Sequence, residues 1–259
     1  MDKVRLGGMA LLNGVLVHGP TAWGVAVRAD DGTIRAASGR KRTFAPGVQT
    51  PMLRGPLRLA EAFALLPDVK RRLPEARFAF ERPTVVASVV AGSALAAAAR
   101  RAPLRGVARE AIAAVASLAP AAVALRGGEL ASYHGAEHVS IGSYELDGKP
   151  APKEHERCGS HLLGPLMVTS VAAGALAARA PRRMRSMARL AGAVGAVGAS
   201  VEVFAWMGRH PDSPVTRLLS RPGFELQHRL STAEPTEAQL EVAEAALAMC
   251  LQAEQDGAG

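Results

Sequence analysis

Apolar and polar positions change rhythm several times along the chain. Near the N-terminus "LGGMALLNGVLVHGP" is apolar and punctuated by glycine. "AWGVAVRADDGTIRAAS" holds two short strand-like runs around Asp30-Asp31-Gly32, a hairpin turn signal. Residues 1–50 are therefore expected to be β-rich. Pro46, Pro51 and Pro56 then mark a loop. In "LRLAEAFALLPDVKRRL" helical spacing puts Leu57, Ala60, Phe63 and Ala64 on one face, with Leu66 close to it. That predicts an amphipathic helix and linker over 51–83.

Four apolar blocks follow, at 84–99, 111–125, 162–178 and 190–207. The first three hold no charged residue and the fourth holds only Glu202. They form two pairs, each joined by a short arginine-rich connection, which predicts apolar helical hairpins over 84–125 and 162–208. A spanning helix needs about 20 apolar residues, with about 17 the lower limit. These blocks approach that length, and arginines at their ends can extend it by snorkelling. The expectation is a four-helix membrane portion. A soluble bundle of buried Ala-rich helices is the alternative, and Gly192, Gly195 and Gly198 suit close packing in either solvent. Residues 209–259 carry a further helix, with Pro235 in its first turn and an end near Gln252. Its stripe of Leu240, Ala243, Ala246 and Leu247 reads as a docking helix or as plain core packing. The fold class is α+β.

Composition narrows the function. Aromatic residues make up 4% of the chain, a poor supply of stacking platforms for single-stranded nucleic acid. The net charge of +8 gathers at Lys70-Arg71-Arg72, Arg100-Arg101 and Arg182-Arg183 with Arg185, each flanking an apolar stretch. That placement fits anchoring at a lipid bilayer and not nucleic-acid binding. Cys158 and Cys250 make no disulfide scaffold. Residues 1–19 lack an apolar signal-peptide core, so the polar segments are expected in the cytoplasm, with the helices in the inner membrane. The short basic connections alone would place themselves inside, so the two cues oppose one another.

The chemistry concentrates in 126–161, which holds four of the seven histidines. His134-Gly135-Ala136-Glu137-His138 is an H-x-x-E-H pattern. On a helix its histidines lie one turn apart on one face and can share a metal ion, with Glu137 a general base or further ligand. Gly135 weakens such a helix. His155 and Cys158, three residues apart, form a second pair able to share a metal, zinc above all. Glu145 and Glu154 lie nearby. Glu202 is an ionisable group inside an apolar block, able to join a metal site, pair with an arginine, or sit near the interface.

Six segments, "GGMALLNGVLVHGP", "VAVRADDGTI", "RGPLRLAEAF", "YHGAEHVSIGSYE", "HERCGS" and "PGFELQHRLSTAEPTEAQLEVAEAAL", occur in this order. Together they resemble the YqhQ-like family of bacterial proteins, of unknown function and described as predicted metal-dependent enzymes. The likeness covers about residues 6–250, with YHGAEH and H-x-R-C-G its most specific parts. It implies a multi-pass membrane protein whose metal and site residues are His134, Glu137, His138, His155 and Cys158, with Tyr133, Arg157 and Gly159 as motif neighbours. Met9 and Asn13 stand where the family carries Gln and Glu, Val139 replaces a Lys, and Ser160 replaces a Thr.

The expected function is that of a membrane-associated metalloprotein, a zinc-type hydrolase in class. His134, His138 and His155 or Cys158 would hold a divalent ion, Glu137 would serve as base, and Glu202 and Glu145 are further candidates. The alternatives are a non-enzymatic membrane protein with a closed structural metal site and, more weakly, an ion or solute transport component built on Glu202. The substrate, small molecule or protein, is not legible.

Overall fold

The structure is a computed structural model that describes residues 3–44, 47–104, 106–125 and 128–257, with the side chains of Leu118, Ala121, Ala122 and Leu125 left out. Pro46 of the expected loop and residues 126–127 of the motif segment lie outside the described residues. Four strands, β1 (Gly7–Leu11), β2 (Gly14–His18), β3 (Ala22–Arg28) and β4 (Ile34–Arg40), form an antiparallel meander in sequence order. The Asp30-Asp31-Gly32 signal is the β3–β4 turn, with Gly32 at φ +82° where a side chain would be strained.

Strand alternation sends two sets of side chains to opposite faces of the sheet. Leu16, Trp23, Val25 and Val27 pack against Leu66, Val69 and Leu73. Helix α2 spans Leu66–Arg72, with Leu73 just beyond it. Val15, Val17 and Ala26 face Tyr133, Ala136 and Ile141 of α5 (Glu129–Glu145) and Val242, Ala243 and Ala246 of α9 (Glu237–Gln255). The sheet is thus covered on both sides, which explains why β2 reads as an unbroken apolar run. A Cβ on Gly24 would strike the α9 backbone at Ala246 and Cys250, so glycine lets that helix lie close to the sheet. The C-terminal helix is a core helix. It starts after Thr236, whose backbone N–H donates to Gln239 Oε1 at 2.9 Å.

The expected amphipathic helix is corrected in two respects. It breaks into α1 (Arg54–Phe63) and α2, and its apolar face does not enter the core. Ala60 and Phe63 are exposed, Leu57 and Ala64 are half-buried, and the buried apolar side chains are Leu65, Leu66, Val69 and Leu73. Helix α1 instead lies on α7 (Arg185–Arg209). Its Arg54 Nε donates to Glu202 Oε1 at 2.7 Å, so Glu202 pairs with an arginine.

Helices α3 (Pro83–Arg101) and α4 (Gly106–Leu125) form one hairpin, and α6 (Leu163–Ala178) and α7 form the other. The hairpins meet where Gly174 of α6 leaves room for the carboxylate of Glu110, which is buried and faces Arg100. Among the described residues the interior of this bundle is a small cluster of Ala96, Ala113 and Ala116. Among the described residues three runs, Pro83–Arg101, Gly159–Ala178 and Arg182–Arg209, are long and apolar enough to cross a membrane, and only 22% of the most apolar stretch of each is buried. Val90, Val168 and Val194 stand exposed on their outer faces. An apolar surface of that extent suggests a lipid bilayer as its surroundings.

Candidate metal centre

The H-x-x-E-H pattern lies within α5 and is buried throughout, with His134 7%, Glu137 6% and His138 2% exposed. Gly135 is required at this point. An extended segment crosses the helix so closely that a Cβ there would strike the carbonyl of Ala233. Helical spacing turns both histidines toward the segment that follows α5. That segment reverses at Asp147 and Gly148, both at positive φ, and returns Cys158 to the helix face.

Each imidazole is fixed through Nδ1. His134 Nδ1 lies 2.7 Å from the Ser231 carbonyl oxygen, and His138 Nδ1 lies 2.6 Å from that of Lys153. A carbonyl only accepts, so each Nδ1 carries a hydrogen and Nε2 is the nitrogen left to offer a lone pair. Burial, and any charge on the neighbouring His134, push His138 down to about 3, which keeps that ring neutral. Nε2 of His134 lies 3.6 Å from Sγ of Cys158, and one ligand atom from each of His134, His138 and Cys158 falls within 4.8 Å of the others. A tetrahedral zinc, with Zn–S about 2.3 Å and Zn–N about 2.0–2.1 Å, holds its N and S ligands about 3.6 Å apart. The His134–Cys158 separation matches that spacing, and the three donors could hold a metal ion.

Cys158 is half-buried, and burial pushes its thiol up while the Ser160 backbone N–H, 3.5 Å from Sγ, favours the thiolate. Glu137 faces β1, where a Cβ on Gly8 would strike its carboxyl group. Burial pushes Glu137 up to about 7; a charge on His134 opposes this and one on Cys158 adds to it. The result is a carboxyl group that changes protonation near neutral pH beside the ligand set.

The other sequence candidates are placed as follows. The His155 ring stands 5.6 Å from that of His138, centroid to centroid, but its Nε2 faces Glu145 Oε2 at 3.2 Å. Arg157 also contacts Glu145. Glu154 meets His228 at 3.0 Å. Tyr133 is buried in the core against α9. Gly159 opens the Gly159–Leu162 turn, with open space where a Cβ would be. Glu202 belongs to the α1–α7 contact and not to this cluster. Asn13 is hydrogen-bonded to Arg28 O, Glu75 O and Arg77 N, and Met9 packs on the opposite face of the sheet from Glu137. A carboxylate at position 13 would need a different local arrangement to reach the histidines.

Three residues enter the site without a sequence signal of their own. Gln227 is fully buried, receives the His155 N–H at 2.9 Å and donates to Ser160 Oγ at 2.6 Å, clamping the Cys158 segment at both ends. Ser231 supplies the carbonyl that holds His134, from a π-helical turn over Gln227–Ser231. His161 is buried next to the group, with Nδ1 lacking a partner. The "FELQHRLS" string is the nearest available hint, and it carries no spacing rule that marks Gln or Ser as a support.

Fold and site together define an α+β chain with membrane-compatible helices and a buried His-His-Cys group. Residues 128–253 match a sequence family described as "Protein of unknown function (DUF1385)". That stretch contains α5 and every residue of the His-His-Cys group, and it ends within α9. No curated protein and no solved structure matches the chain.

Proposed function

We propose that this chain is a membrane-associated metalloprotein of the YqhQ-like bacterial type, with hydrolysis as its reaction class. The observation that carries the reading is the pair of Nδ1–carbonyl hydrogen bonds, which aim two free Nε2 atoms toward the Cys158 sulfur. His134, His138 and Cys158 would hold the ion, zinc by its affinity for an N₂S set. A bound divalent ion supplies a Lewis acid and a water of lowered pKa. Glu137 takes up a proton at its carboxylate and returns it to a leaving group, a role its value near 7 suits. The Ser231 and Lys153 carbonyls keep the rings oriented. The polar segments are assigned to the cytoplasmic face of the inner membrane, and thiol labelling of Arg182→Cys in intact cells checks this. Reaction with an impermeant reagent supports it, and protection places the hairpin ends inside.

Metal content per chain tests the site. About one equivalent is expected in detergent-purified protein, none in His134→Ala/His138→Ala, and an unchanged amount in Glu137→Gln. Absence of metal above the double variant sinks the reading. Loss of hydrolytic turnover in Glu137→Gln with metal retained supports the proton role.

A second reading rests on His155. Turned from Glu145 toward His138, it would close the set at four protein ligands, the mark of a structural site. X-ray absorption of the loaded protein separates the two. Three N and one S from protein favour the structural role, and two N, one S and a water oxygen favour catalysis.

A further inference from the structure

Helix α1 is built inside out. A helix packed on a soluble protein turns its apolar stripe inward and its polar stripe to water. Here the inward stripe is the polar one. Arg54 bonds Glu202 of α7, and Glu61 is 7% exposed and accepts the backbone N–H of Phe44 at 3.0 Å. Gly55 fits under Val201, where any Cβ would collide. The outward stripe is apolar, with Leu59 at 48% and Phe63 at 52% exposure. Leu53 and Phe44 beside it are 54% and 55% exposed. Arg58 is exposed and shares the polar side of the helix with Arg54 and Glu61, one turn from each.

We propose that α1 lies flat in the membrane interface, with Leu59 and Phe63 among the acyl chains and Arg58 among the headgroup phosphates. This rests on the reading that α3, α6 and α7 cross a bilayer. The occupant follows from continuity with those helices. Helix α1 is bonded directly to α7, and Gly198 and Val201 of α7 press against Met52 and Gly55. Wherever α7 meets lipid, α1 therefore meets it too. The depth also agrees. Glu202 stands five residues before Met207, where the apolar run of α7 ends. At 1.5 Å per residue that is about 7 Å below the end of the run. Interfacial helices bury their apolar face by about 5–10 Å. Trp206, one turn beyond Glu202, sits at the level where membrane proteins place their aromatic belts. The Arg54–Glu202 pair, partly covered by α1 with side-chain exposures of 27% and 24%, neutralises the acid of an apolar helix at the level of the headgroups.

The experiment uses the full chain in liposomes with Trp206→Phe as background, and the emission of that background, which keeps the buried Trp23, is subtracted from every reading. One tryptophan is placed at Phe63, or at Val90 on the outer face of α3. Emission is read with brominated lipid in the bilayer and with iodide in the water. Brominated lipid is expected to halve the emission of both Phe63→Trp and Val90→Trp, and iodide to leave both unchanged. Quenching of Val90→Trp by lipid but of Phe63→Trp by iodide overturns the α1 proposal alone. Shielding of Phe63→Trp from both quenchers overturns it as well, and points to a protein covering, such as a second copy. Failure of lipid to quench Val90→Trp removes the spanning reading and the α1 proposal with it.

Discussion

The sheet-centred body and the helical hairpins are both rich in apolar residues, but they use them in opposite ways. In the body, Trp23, Leu16 and Val25 are almost wholly enclosed, and Gly24 lets a helix approach the sheet backbone closely. In the hairpins the enclosed cluster consists of alanines, while Val90, Val168 and Leu176 face outward. Burial away from water drives folding in proportion to the apolar area removed, and the body has such a core. The hairpins hold many of their branched apolar side chains outside, where only a nonaqueous solvent favours them. One chain thus carries two folding regimes, and the His-His-Cys group belongs to the first, on the α5 helix that packs against the sheet.

The contrast is broken most directly at Trp23. Trp23→Ala should cost the body about 3–5 kcal/mol in denaturant unfolding, whereas Val90→Ala in α3 should cost less than about 1 kcal/mol. Equal losses would mean that the hairpins share a water-driven core. Metal removal comes next. With free metal a thousandfold above Kd, binding stabilises the folded body by about 4 kcal/mol, a gain that chelation should abolish. The same chelation should leave a His134→Ala/His138→Ala variant unchanged, and a chelator effect on that variant would place the ion elsewhere.

A smaller effect is expected at His18. Burial, with Lys41 next to it, pushes His18 down to about 4 from 6.5. Between those values the unfolded chain binds a proton that the folded chain refuses. Stability is therefore full above pH 6.5 and falls as pH drops from 6.5 toward 4. The fall is on the order of 2 kcal/mol, and His18→Gln should lose less than wild type over that window. An identical pH profile in both would remove His18 from the account. The smallest effect is at the start of α9. Gln239→Ala removes the bond to the Thr236 backbone N–H and should cost about 1 kcal/mol of body stability. Ser117→Ala, whose hydroxyl bonds its own helix at Ala113, should change nothing measurable in the hairpins.

Much of this was legible along the chain, for physical reasons. Alternation and the Asp-Asp-Gly turn marked the sheet, because a strand's side-chain period is two. Uncharged blocks marked the hairpin helices, since long apolar runs have few other uses. His134 and His138 declared themselves through one helical turn. Which partner joins them did not, because His155 and Cys158 are equally near in sequence. The choice depends on how Lys153 and Gln227 hold the returning segment. The reversed face of α1 was also hidden. Periodicity shows that a helix has an apolar face, but it does not say which solvent that face meets. The Arg54–Glu202 pair spans 148 positions, a separation that no local pattern encodes.

The bond from His134 to Ser231 has a consequence in time. The two residues stand 97 positions apart, with α6, α7 and α8 (Pro214–Leu226) made in between. At about 5–20 residues per second, His134 leaves the ribosome roughly 5–20 s before the carbonyl that will orient it. During that interval the thiol of Cys158 and the unheld imidazole of His134 are open to any cation they meet, while His138 already has the Lys153 carbonyl within 15 positions. On the proposed function, selection of the ion would be a matter of biosynthetic order. The centre takes its final geometry only once the turn over Gln227–Ser231 has been made, so an ion acquired earlier would be held by a looser, more exchangeable cage.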